Sequence, residues 1–516
     1  MSAARGRFAD HAELTGHGRR ELRADALAVA AAALAAADPV AALRGSIRLD
    51  GDDLVVRGLP WCGLRPPAAG GAAAAGGATT DATSATETRV PLHGRRLVVL
   101  GAGKASIGMA AYLDVLLGAR IAAGCVVVKR GQGRRLRRIE VREAAHPVPD
   151  EASLAGGRRL LELAEEAGAD DLVLGLVTGG SSALAVFPAE GISMADKVAT
   201  NRLLLTCGAD IVSINNVRKH LSRIKGGLLA RACGCEIVNL TVSDVVGDPL
   251  DCLTDLLVPD RSTWDDARAT CDRFGLWGRL PAAVAARLRA ADPAEETPKD
   301  LPRISTWVVA DAARMCAAAA DAARSLGYTA RVIGLDVEGE AAEAGRAVAA
   351  AIAAAPPRTC LVAGGENTVT LDSPASGRLA AAGPHGEGRA DPGRAARAVA
   401  PAASGGPSQE AAVAAARALA GTTPSGRVDE SGDAGVGAGP VCLLCMDSDG
   451  TDGPTAAAGG LVDDLTAAAA EAAGVDLRAA LDVHDCGPAL AAAGDLVVTG
   501  PTGTNVNDLK VALKGA

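Results

Sequence analysis

The sequence repeats one pattern, a short run of Val, Leu and Ile that ends in a glycine-containing turn and is followed by a stretch of helical composition. Residues 95–100 lead into GAGKASIGMAAYLDVLLG, and residues 171–177 lead into TGGSSAL. Runs of this kind that alternate with helices are typical of parallel strands buried on both faces of a sheet. The pattern therefore predicts an α/β fold, and it returns in the second half at 307–310, 360–363, 441–446 and 495–500.

The length of 516 residues is enough for two or three domains at roughly 150 residues each. We expect two doubly wound, Rossmann-like domains, residues 1–300 and 301–516, with an interdomain cleft. Ligands in such sheets lie beyond the carboxyl ends of the strands. Three stretches rich in Ala, Gly, Ser and Pro carry no core-forming pattern, and we expect a linker at 66–87 and surface insertions at 373–407 and 421–440.

Composition excludes several classes of protein. Aromatic residues make up 2% of the chain and the formal net charge is −9, which argues against base-stacking nucleic-acid binders and against anionic membranes as partners. No apolar run is long enough to span a bilayer, and the N-terminus lacks a signal-like apolar segment. We therefore expect a cytoplasmic protein whose 12 cysteines are reduced, and Cys233, Cys235, Cys442 and Cys445 are predicted to be packed thiols rather than zinc ligands. The oligomeric state stays open, with a homodimer as one option.

The first glycine turn carries a lysine. Gly101 and Gly103 allow a tight strand-to-helix connection, and Lys104 is one of only eight lysines in the chain. The turn is not a Walker A loop, because no Ser or Thr follows the lysine directly. It is also an incomplete dinucleotide fingerprint, because Ser106 stands at the third glycine position. A tight turn without a ligand is the alternative.

Two further segments point to anion binding. The turn after residue 177 combines backbone N–H groups with hydroxyls and predicts an oxyanion or phosphate cradle, or else a plain glycine turn. Its residues are Gly179, Gly180, Ser181 and Ser182. Residues 215–227 contain two of the eight lysines ahead of a Gly-Gly pair. A cationic helix face that binds carboxylate or phosphates fits Arg218, Lys219 and Lys225, and a solvated helix face is the alternative.

Acidic turns follow two other runs. Asp244 lies in SDVVGDP, and Asp447, Asp449 and Asp452 lie in DSDGTDG. Carboxylates at strand ends suit Mg²⁺, which takes one or two carboxylates together with phosphate oxygens and water. A calcium loop is excluded because its twelfth position is not Glu, and capped turns without metal remain the alternative. Polar glycine turns in both halves predict one cleft that binds a polyanion with metal.

Eight segments, in this order, together resemble one family. They are GAGKAS, AAHPVPDEAS, VTGGSSAL, INNVRKHLSRIKGG, SDVVGDP, GGENTVT, SDGTDGPT and TGPTGTNVNDL, spread from about residue 95 to 509. The set resembles the glycerate 2-kinases with a C-terminal MOFRL-type domain. The resemblance implies transfer of the γ-phosphoryl group of ATP to the C2 hydroxyl of D-glycerate, with Mg²⁺, on two Rossmann-like domains around a cleft.

The resemblance also implies roles for individual residues. Lys104 matches the family's essential lysine, and with Arg218 and Lys225 it forms the expected catalytic set. Asp244, Asp447, Asp449 and Asp452 become candidates for the metal or its surroundings. Nucleotide or substrate binding is expected at Gly101, Gly103, Gly179, Gly180, Ser181, Ser182, Lys219, Gly365, Glu366, Thr368, Asn505, Asn507 and Asp508. With so few rings in the chain, adenine is expected to pack against aliphatic side chains and glycine backbone.

The chain departs from the family at three segments. An Arg that many members carry in a Gly-Gly-Arg-Asn segment is replaced in Gly-Gly-Pro-Ser at 405–408. A Gly-Glu-Ala-Arg segment is Gly-Glu-Ala-Ala at 339–342, and a Ser-Gly-Pro segment is absent after SDVVGDP. These losses keep two alternatives in view, a hydroxypyruvate reductase that uses NADPH and a non-catalytic relative that binds nucleotide or an organic acid.

Overall fold

The protein is described by a computed structural model that covers residues 7–57, 87–243, 255–371, 405–420 and 439–516. Asp244 and most of the stretches at 66–87, 373–407 and 421–440 lie outside these ranges. The chain divides into two compact units. The parallel-sheet unit comprises residues 35–315 and 503–506, and the mixed-sheet unit comprises residues up to 34 together with 316–502 and 507–516.

Fifteen strands are found in the described residues. They are β1 Ile47–Asp50, β2 Asp53–Arg57, β3 Glu87–Pro91, β4 Leu97–Ala102, β5 Ile121–Lys129, β6 Glu140–Ala144, β7 Leu172–Val177, β8 Glu236–Val242, β9 Ile304–Ala310, β10 Thr329–Gly334, β11 Thr359–Gly365, β12 Val441–Asp447, β13 Gly459–Asp463, β14 Leu496–Val497 and β15 Asp508–Lys514.

The α-helices in the same ranges are numbered separately. They are α1 His11–Leu14, α2 Arg20–Ala37, α3 Pro39–Ser46, α4 Ser106–Leu117, α5 Glu151–Glu166, α6 Ser181–Leu184, α7 Met194–Thr206, α8 Ile211–His220, α9 Leu228–Ala232, α10 Trp264–Arg273, α11 Ala282–Ala290, α12 Ala312–Ser325, α13 Ala341–Ala354, α14 Pro407–Ala420, α15 Thr466–Ala472, α16 Leu477–Asp482 and α17 Cys486–Ala493.

The parallel-sheet unit is built on six parallel strands in the order β6-β5-β4-β7-β8-β9. The chain runs outward from β4 to β6, then returns to β7 beside β4 and continues outward in the other direction. This reversal makes the β4–β7 junction a topological switch point, where open α/β sheets bind ligands. Every residue of β4 and β7 is buried, as the continuous aliphatic runs predict.

The mixed-sheet unit confirms the α/β class but not parallel strands throughout. Its sheet has the order β10-β11-β15-β12-β13-β14, and only β10 and β11 run parallel. The C-terminal strand β15 enters antiparallel between β11 and β12. An aliphatic run indicates that a strand is buried on both faces, but it does not indicate the direction in which the strand runs. The pattern of residues 441–446 therefore could not reveal this arrangement.

The boundary between the units differs from the expected division at residue 300. Strand β9 completes the parallel sheet by pairing with β8, although residues 307–310 were expected in the second half. The N-terminal residues belong to the mixed-sheet unit, because the buried Arg23 side chain binds Asp463 and Asp495 there. Sequence spacing alone carries no information on such distant pairing.

Local corrections concern the edges of the expected insertions. Glu87 is the first residue of β3, which forms a three-stranded antiparallel sheet with β1 and β2. Pro407 begins α14, so residues 405–407 belong to the folded core rather than to an insertion. Pro is well suited to that position because its missing N–H is not needed in the first helical turn.

The ten described cysteines are free thiols, and nine of them are buried. Burial raises the pKa of Cys233 and Cys445 to about 12, as expected for packed thiols. No single helix in the described ranges is long and apolar enough to cross a membrane, although α2 and α3 reach that length and composition when taken together.

Candidate active site

The switch point of the parallel sheet brings the first two glycine turns together. The backbone N–H of Lys104, just after β4, donates to the carbonyl oxygen of Gly179 at 2.9 Å. The hydroxyl of Thr178 accepts from the N–H of Ala105 at 3.2 Å. Gly101 therefore lies against Leu176 of β7 and Gly103 against Thr178 in the turn that follows, because β4 and β7 are neighbours in the sheet.

Gly180 is a point of close approach in this turn. It has φ +85°, and a Cβ atom built on it would lie 3.3 Å from both Lys104 Cγ and His146 Nε2. A side chain there would crowd the lysine stem, so glycine keeps the space open. Ser181 and Ser182 begin the short helix α6 directly after it. His146 was not among the sequence candidates, although it lies in the AAHPVPDEAS segment.

Lys225 reaches this turn from the Arg-Ile-Lys-Gly-Gly segment. Its Nζ atom donates to Ser182 Oγ at 2.6 Å and to Asp255 Oδ2 at 2.8 Å, and the residue is 1% exposed. Burial lowers the pKa of Lys225 from its ordinary value, and the Asp255 carboxylate only partly offsets this effect. Two predicted anion-binding segments thus meet through one charged hydrogen bond.

A second buried lysine, which the sequence reasoning missed, stands behind Arg218. Lys197 on α7 is fully buried, and its Nζ atom donates to the carbonyl oxygen of Arg218 at 3.4 Å. Desolvation, together with the charges of Arg218 and Lys225, lowers the pKa of Lys197 well below its ordinary value. The scarcity of lysine in this arginine-rich chain was the available signal.

These cations outnumber their counter-charges within the described residues. Lys197, Arg218 and Lys225 share one described carboxylate, Asp255, and Arg218 Nε is buried without a hydrogen-bond partner. Burial lowers the pKa of the Arg218 guanidinium, which nevertheless stays protonated in proteins. An arrangement of this kind stabilises a bound anion, because the anion supplies the missing negative charge.

Two neighbours of Arg218 are engaged elsewhere. Lys219 Nζ pairs with Asp260 Oδ1 at 3.0 Å, and both groups are buried. His220 Nε2 contacts Glu296 Oε1 at 2.9 Å, so this ring nitrogen is bonded within the fold. The pairing with Asp260 favours a structural role for Lys219, which was expected to bind nucleotide or substrate.

The mixed-sheet unit gathers carboxylates instead. Asp447 at the end of β12 stands opposite Asp508 at the start of β15, and Asp449 and Asp452 follow in the next turn. Burial and the nearby charge of Asp449 raise the pKa of Asp447 to about 8. Burial raises the pKa of Asp452 to about 7 and also raises that of Asp508.

Asp452 is held by the first turn of α14. Its two carboxylate oxygens accept from the backbone N–H groups of Ser408 at 3.0 Å and Gln409 at 2.7 Å. A Cβ atom on Gly406 would lie 2.2 Å from Asp452 Oδ1, so the contact depends on glycine. The segment that lacks the family's arginine therefore binds this aspartate through its backbone. Asp452 is thereby tied to the first turn of a helix.

The remaining aspartates differ in how fully they are bonded. Asp508 Oδ2 lies 3.5 Å from the buried Lys510 Nζ, and Asp449 Oδ1 accepts two bonds from Thr451. Asp447 accepts one bond, from the N–H of Asp449 at 3.2 Å. No three His, Cys, Asp or Glu side chains in the described ranges converge tightly enough to hold a metal alone. The pair Asp447 and Asp449 still fits Mg²⁺, whose other ligands are phosphate oxygens and water.

Other predicted residues lie around Asp508 or apart from it. Gly365 pairs with Asp508 across the sheet, whereas Glu366 and Thr368 are exposed. Asn507 has φ +67°, and its carbonyl oxygen accepts from the Ser448 N–H at 3.2 Å. Asn505 falls in the parallel-sheet unit. The sequence reasoning missed Asn367, whose N–H donates to Asp508 Oδ2 at 3.3 Å.

A two-domain α/β protein with a glycine-rich switch point in its parallel sheet is the class that these features define. Residues 25–289 match the model of a domain of unknown function, DUF4147, and residues 393–508 match the MOFRL family. The glycerate 2-kinase of Pyrococcus horikoshii is 32% identical over 96% of this chain and 97% of its own length.

Two further relatives agree over most of the chain. The crystal structure of glycerate kinase from Thermotoga maritima has a TM-score of 0.66 at 35% identity, with 82% of this chain and 92% of that one covered. An Agrobacterium vitis protein named provisionally a hydroxypyruvate reductase is 37% identical over 85% of this chain and 92% of its own length. The chain belongs to the glycerate kinase family that combines DUF4147 and MOFRL domains.

Proposed function

We propose that the protein is a glycerate 2-kinase that transfers the γ-phosphoryl group of ATP to the C2 hydroxyl of D-glycerate. The observation that carries the proposal is the contact between Lys104 and the Gly179–Ser182 turn at the switch point of the parallel sheet. Phosphoryl transfer depends mainly on positioning and on stabilising negative charge, which these groups can provide. The family membership supports the same activity.

The residues of the parallel-sheet unit would act in distinct ways. Lys104 stabilises negative charge on the transferring phosphoryl group, while the N–H groups and hydroxyls of the Gly179–Ser182 turn bind phosphate oxygens. Lys225 orients Ser182 through its 2.6 Å bond and brings positive charge to the turn. Arg218 binds an anionic group of a substrate, since its guanidinium lacks a full set of partners among the described residues.

Asp447 and Asp449 are the candidates for Mg²⁺, which would neutralise charge on the nucleotide phosphates when bound. Their crowding is costly without a cation, as the raised pKa of Asp447 indicates. We also propose a cytoplasmic setting, supported by the ten free cysteines of the described residues. A small-molecule substrate is the only partner that the proposal needs.

The test is ADP release from ATP and Mg²⁺ in the presence of D-glycerate. Coupling through enolase separates 2-phosphoglycerate from 3-phosphoglycerate, because enolase uses only the former. ADP release with an enolase signal supports the proposal. ADP release without that signal contradicts the assignment of the C2 hydroxyl.

Two other activities give different readouts in the same assay. The name of the Agrobacterium vitis relative favours a hydroxypyruvate reductase as the second candidate, and oxidation of NADPH by hydroxypyruvate without ADP release would support it. The exposed Lys129 and Arg130 at the end of β5 stand where an NAD site would place Asp or Glu, so they count against NAD but leave NADPH open. Ligand binding without any turnover would support a non-catalytic relative.

A further inference from the structure

The side chain of Lys197 on α7 is completely buried but makes few polar contacts. Within the described residues its Nζ atom donates one hydrogen bond, to the carbonyl oxygen of Arg218, and the distance of 3.4 Å makes this bond a weak one. A protonated lysine carries three N–H donors. A buried ammonium group would leave most of them unsatisfied here, which costs far more than burying a neutral amine.

No ion pair compensates a charge on Lys197 in the part of the chain that the structure describes. Asp255 is the carboxylate whose charge acts on this lysine, and its Oδ2 atom already pairs with Lys225 Nζ at 2.8 Å. Arg218 and Lys225 bring further positive charge to the same place. Desolvation and this repulsion lower the pKa of Lys197 and favour its neutral amine in the ligand-free protein.

Other charged side chains on α7, and on α8 and α11, which pack against it, are engaged elsewhere or face solvent. On α7 itself, Asp196 bonds to Ser193 at the start of the helix, and Arg202 is exposed. On the neighbouring helices Lys219 pairs with Asp260, His220 with Glu296 and Arg287 with Glu295, and Arg289 lies over the ring of Trp277. These groups therefore do not replace the missing counter-charge.

A bound anion changes the balance of charge around Lys197. Arg218 stays protonated in proteins, and among the described residues its guanidinium gives one hydrogen bond, from Nη1 to Asn215 Oδ1 at 3.4 Å. The ion pair with Asp255 favours the charged form of Lys225. With Lys197 neutral, these two cations share one described carboxylate. A divalent anion at Arg218 would leave an excess of negative charge, which a proton on Lys197 neutralises.

We propose that Lys197 takes up a proton when a phosphate-like anion binds at Arg218 and Lys225, so that the affinity of this site for anions rises as the pH falls. This inference rests on the anion-binding part of the proposed function. The proton comes from the solvent, binds the amine nitrogen, and returns to the solvent when the anion leaves. The neutral amine avoids repulsion in the ligand-free cluster, and protonation supplies a third positive charge only when an anion is present.

Isothermal titration calorimetry with sodium sulfate tests the proposal. Sulfate stays divalent between pH 6.5 and pH 8.5, so any proton uptake belongs to the protein. Titrations at pH 7.5 in Tris and in HEPES give the number of protons from the dependence of the observed enthalpy on the ionisation enthalpy of the buffer. We expect the wild type to take up about 0.5–1 proton per bound sulfate, and its Kd for sulfate to rise with pH by as much as about tenfold per pH unit.

Variants of Lys197 separate this role from a merely structural one. Lys197→Met should reduce proton uptake to near zero and make the Kd for sulfate independent of pH, because methionine does not titrate. Lys197→Arg retains a charge that does not titrate, so it should bind sulfate more tightly than Lys197→Met, again without proton uptake. Lys129→Met is the control, because Lys129 is an exposed lysine of the same unit, and it should take up protons as the wild type does.

The wild type alone can overturn the proposal, even if a variant fails to fold. Sulfate binding without proton uptake in the wild type would contradict the role of Lys197. Uptake that is equal in Lys197→Met and in the wild type would assign the proton to another group. Absence of sulfate binding would contradict the anion site on which the proposal depends.

The proposal and the kinase activity can fail separately. Proton-linked sulfate binding that is lost in Lys197→Met, in a protein that releases no ADP, would support the role of Lys197 and contradict the kinase activity. ADP release with D-glycerate, in a protein that binds sulfate without proton uptake, would support the kinase activity and overturn the role of Lys197.

Discussion

The two units bury charge of opposite sign. The parallel-sheet unit withdraws Lys197 and Lys225 from water and half-buries Arg218, and burial lowers the pKa of each. The mixed-sheet unit does the same with aspartates, and burial raises the pKa of Asp447 and Asp452. Desolvation destabilises each group of charges, and a bound ligand of opposite charge offsets this cost. The first therefore suits phosphate or carboxylate groups, and the second suits a divalent cation.

Arg23 shows how a buried charge behaves when it is fully paired with carboxylates. Arg23 is completely buried, yet it binds Asp463 at 2.5 Å and Asp495 at 2.7 Å and donates to three further oxygens. These contacts raise its pKa. Burial alone therefore does not mark a functional charge in this protein. The relation between a buried charge and its counter-charges separates structural groups from candidate site groups.

The largest effect on stability is expected at the fully paired group. Arg23→Met leaves two carboxylates buried without their cation and should lower the free energy of unfolding by about 3–5 kcal/mol. Chemical denaturation followed by circular dichroism measures the loss. The activity of the folded fraction should stay near wild type. A free energy of unfolding that is the same in Arg23→Met and in the wild type would contradict the distinction between paired and unpaired buried charges.

The largest effect on activity is expected at Lys104. Lys104→Ala should lower kcat at least ~100-fold, the loss typical of one electrostatic stabiliser of a transition state. Lys129→Ala is the control, because Lys129 is an exposed lysine at the end of the neighbouring strand β5. Steady-state kinetics with saturating ATP compare the kcat of the two variants. Turnover near wild type in Lys104→Ala would make this lysine structural.

Asp447 should make stability depend on pH in the absence of metal. Its pKa is raised to about 8 in the folded protein, so its contribution is most favourable below its unfolded pKa and is lost as pH rises toward 8. Asp447→Asn removes this loss of stability, because the amide side chain does not ionise. In EDTA, the variant's Tm should exceed that of wild type by an amount that grows between pH 5 and pH 8.

Added Mg²⁺ provides the second half of this test. It should raise the Tm of the wild type at pH 8 and leave that of Asp447→Asn nearly unchanged, because the variant lacks one ligand. Asp482→Asn, an exposed aspartate of the same unit, should respond as wild type does. A Tm gap that does not vary with pH would contradict the crowding of carboxylates around Asp447.

The smallest effect is expected at Lys197. A lysine whose pKa is lowered by burial costs stability below its unfolded pKa, and stability returns as pH rises toward that value. Lys197→Met should therefore raise the Tm of the ligand-free protein at pH 7 by a few degrees. It should also reduce the rise in Tm that inorganic phosphate gives. Thermal unfolding scans with and without phosphate measure both effects. A ligand-free Tm that is lower in Lys197→Met than in the wild type would contradict the prediction.

The sequence predicts some of this architecture well and some of it not at all. The runs at 95–100 and 171–177 are strands, and their glycine turns meet at the switch point because parallel strands share one edge. Strand direction in the mixed sheet and the pairing of Arg23 with distant aspartates depend on long-range contacts. No local pattern encodes either of them.

The candidate site divides in the same way. Lys104, Ser182 and Lys225 were predicted from local patterns, and the structure links them into neighbouring contacts. Lys197 lies in an ordinary helical stretch, so its scarcity as a lysine marks it but only the fold reveals that it is fully buried. Asp452 was predicted as a candidate for the metal or its surroundings, but its bonds to the backbone at the start of α14 could not be predicted, because the two segments are more than 40 residues apart.

The most direct test of the account is the enolase-coupled assay with ATP, Mg²⁺ and D-glycerate. It measures the proposed reaction and its regiochemistry in one experiment. We expect ADP release in step with enolase-dependent formation of phosphoenolpyruvate, and loss of both in Lys104→Ala. Absence of ADP release, with NADPH oxidised by hydroxypyruvate, would contradict it.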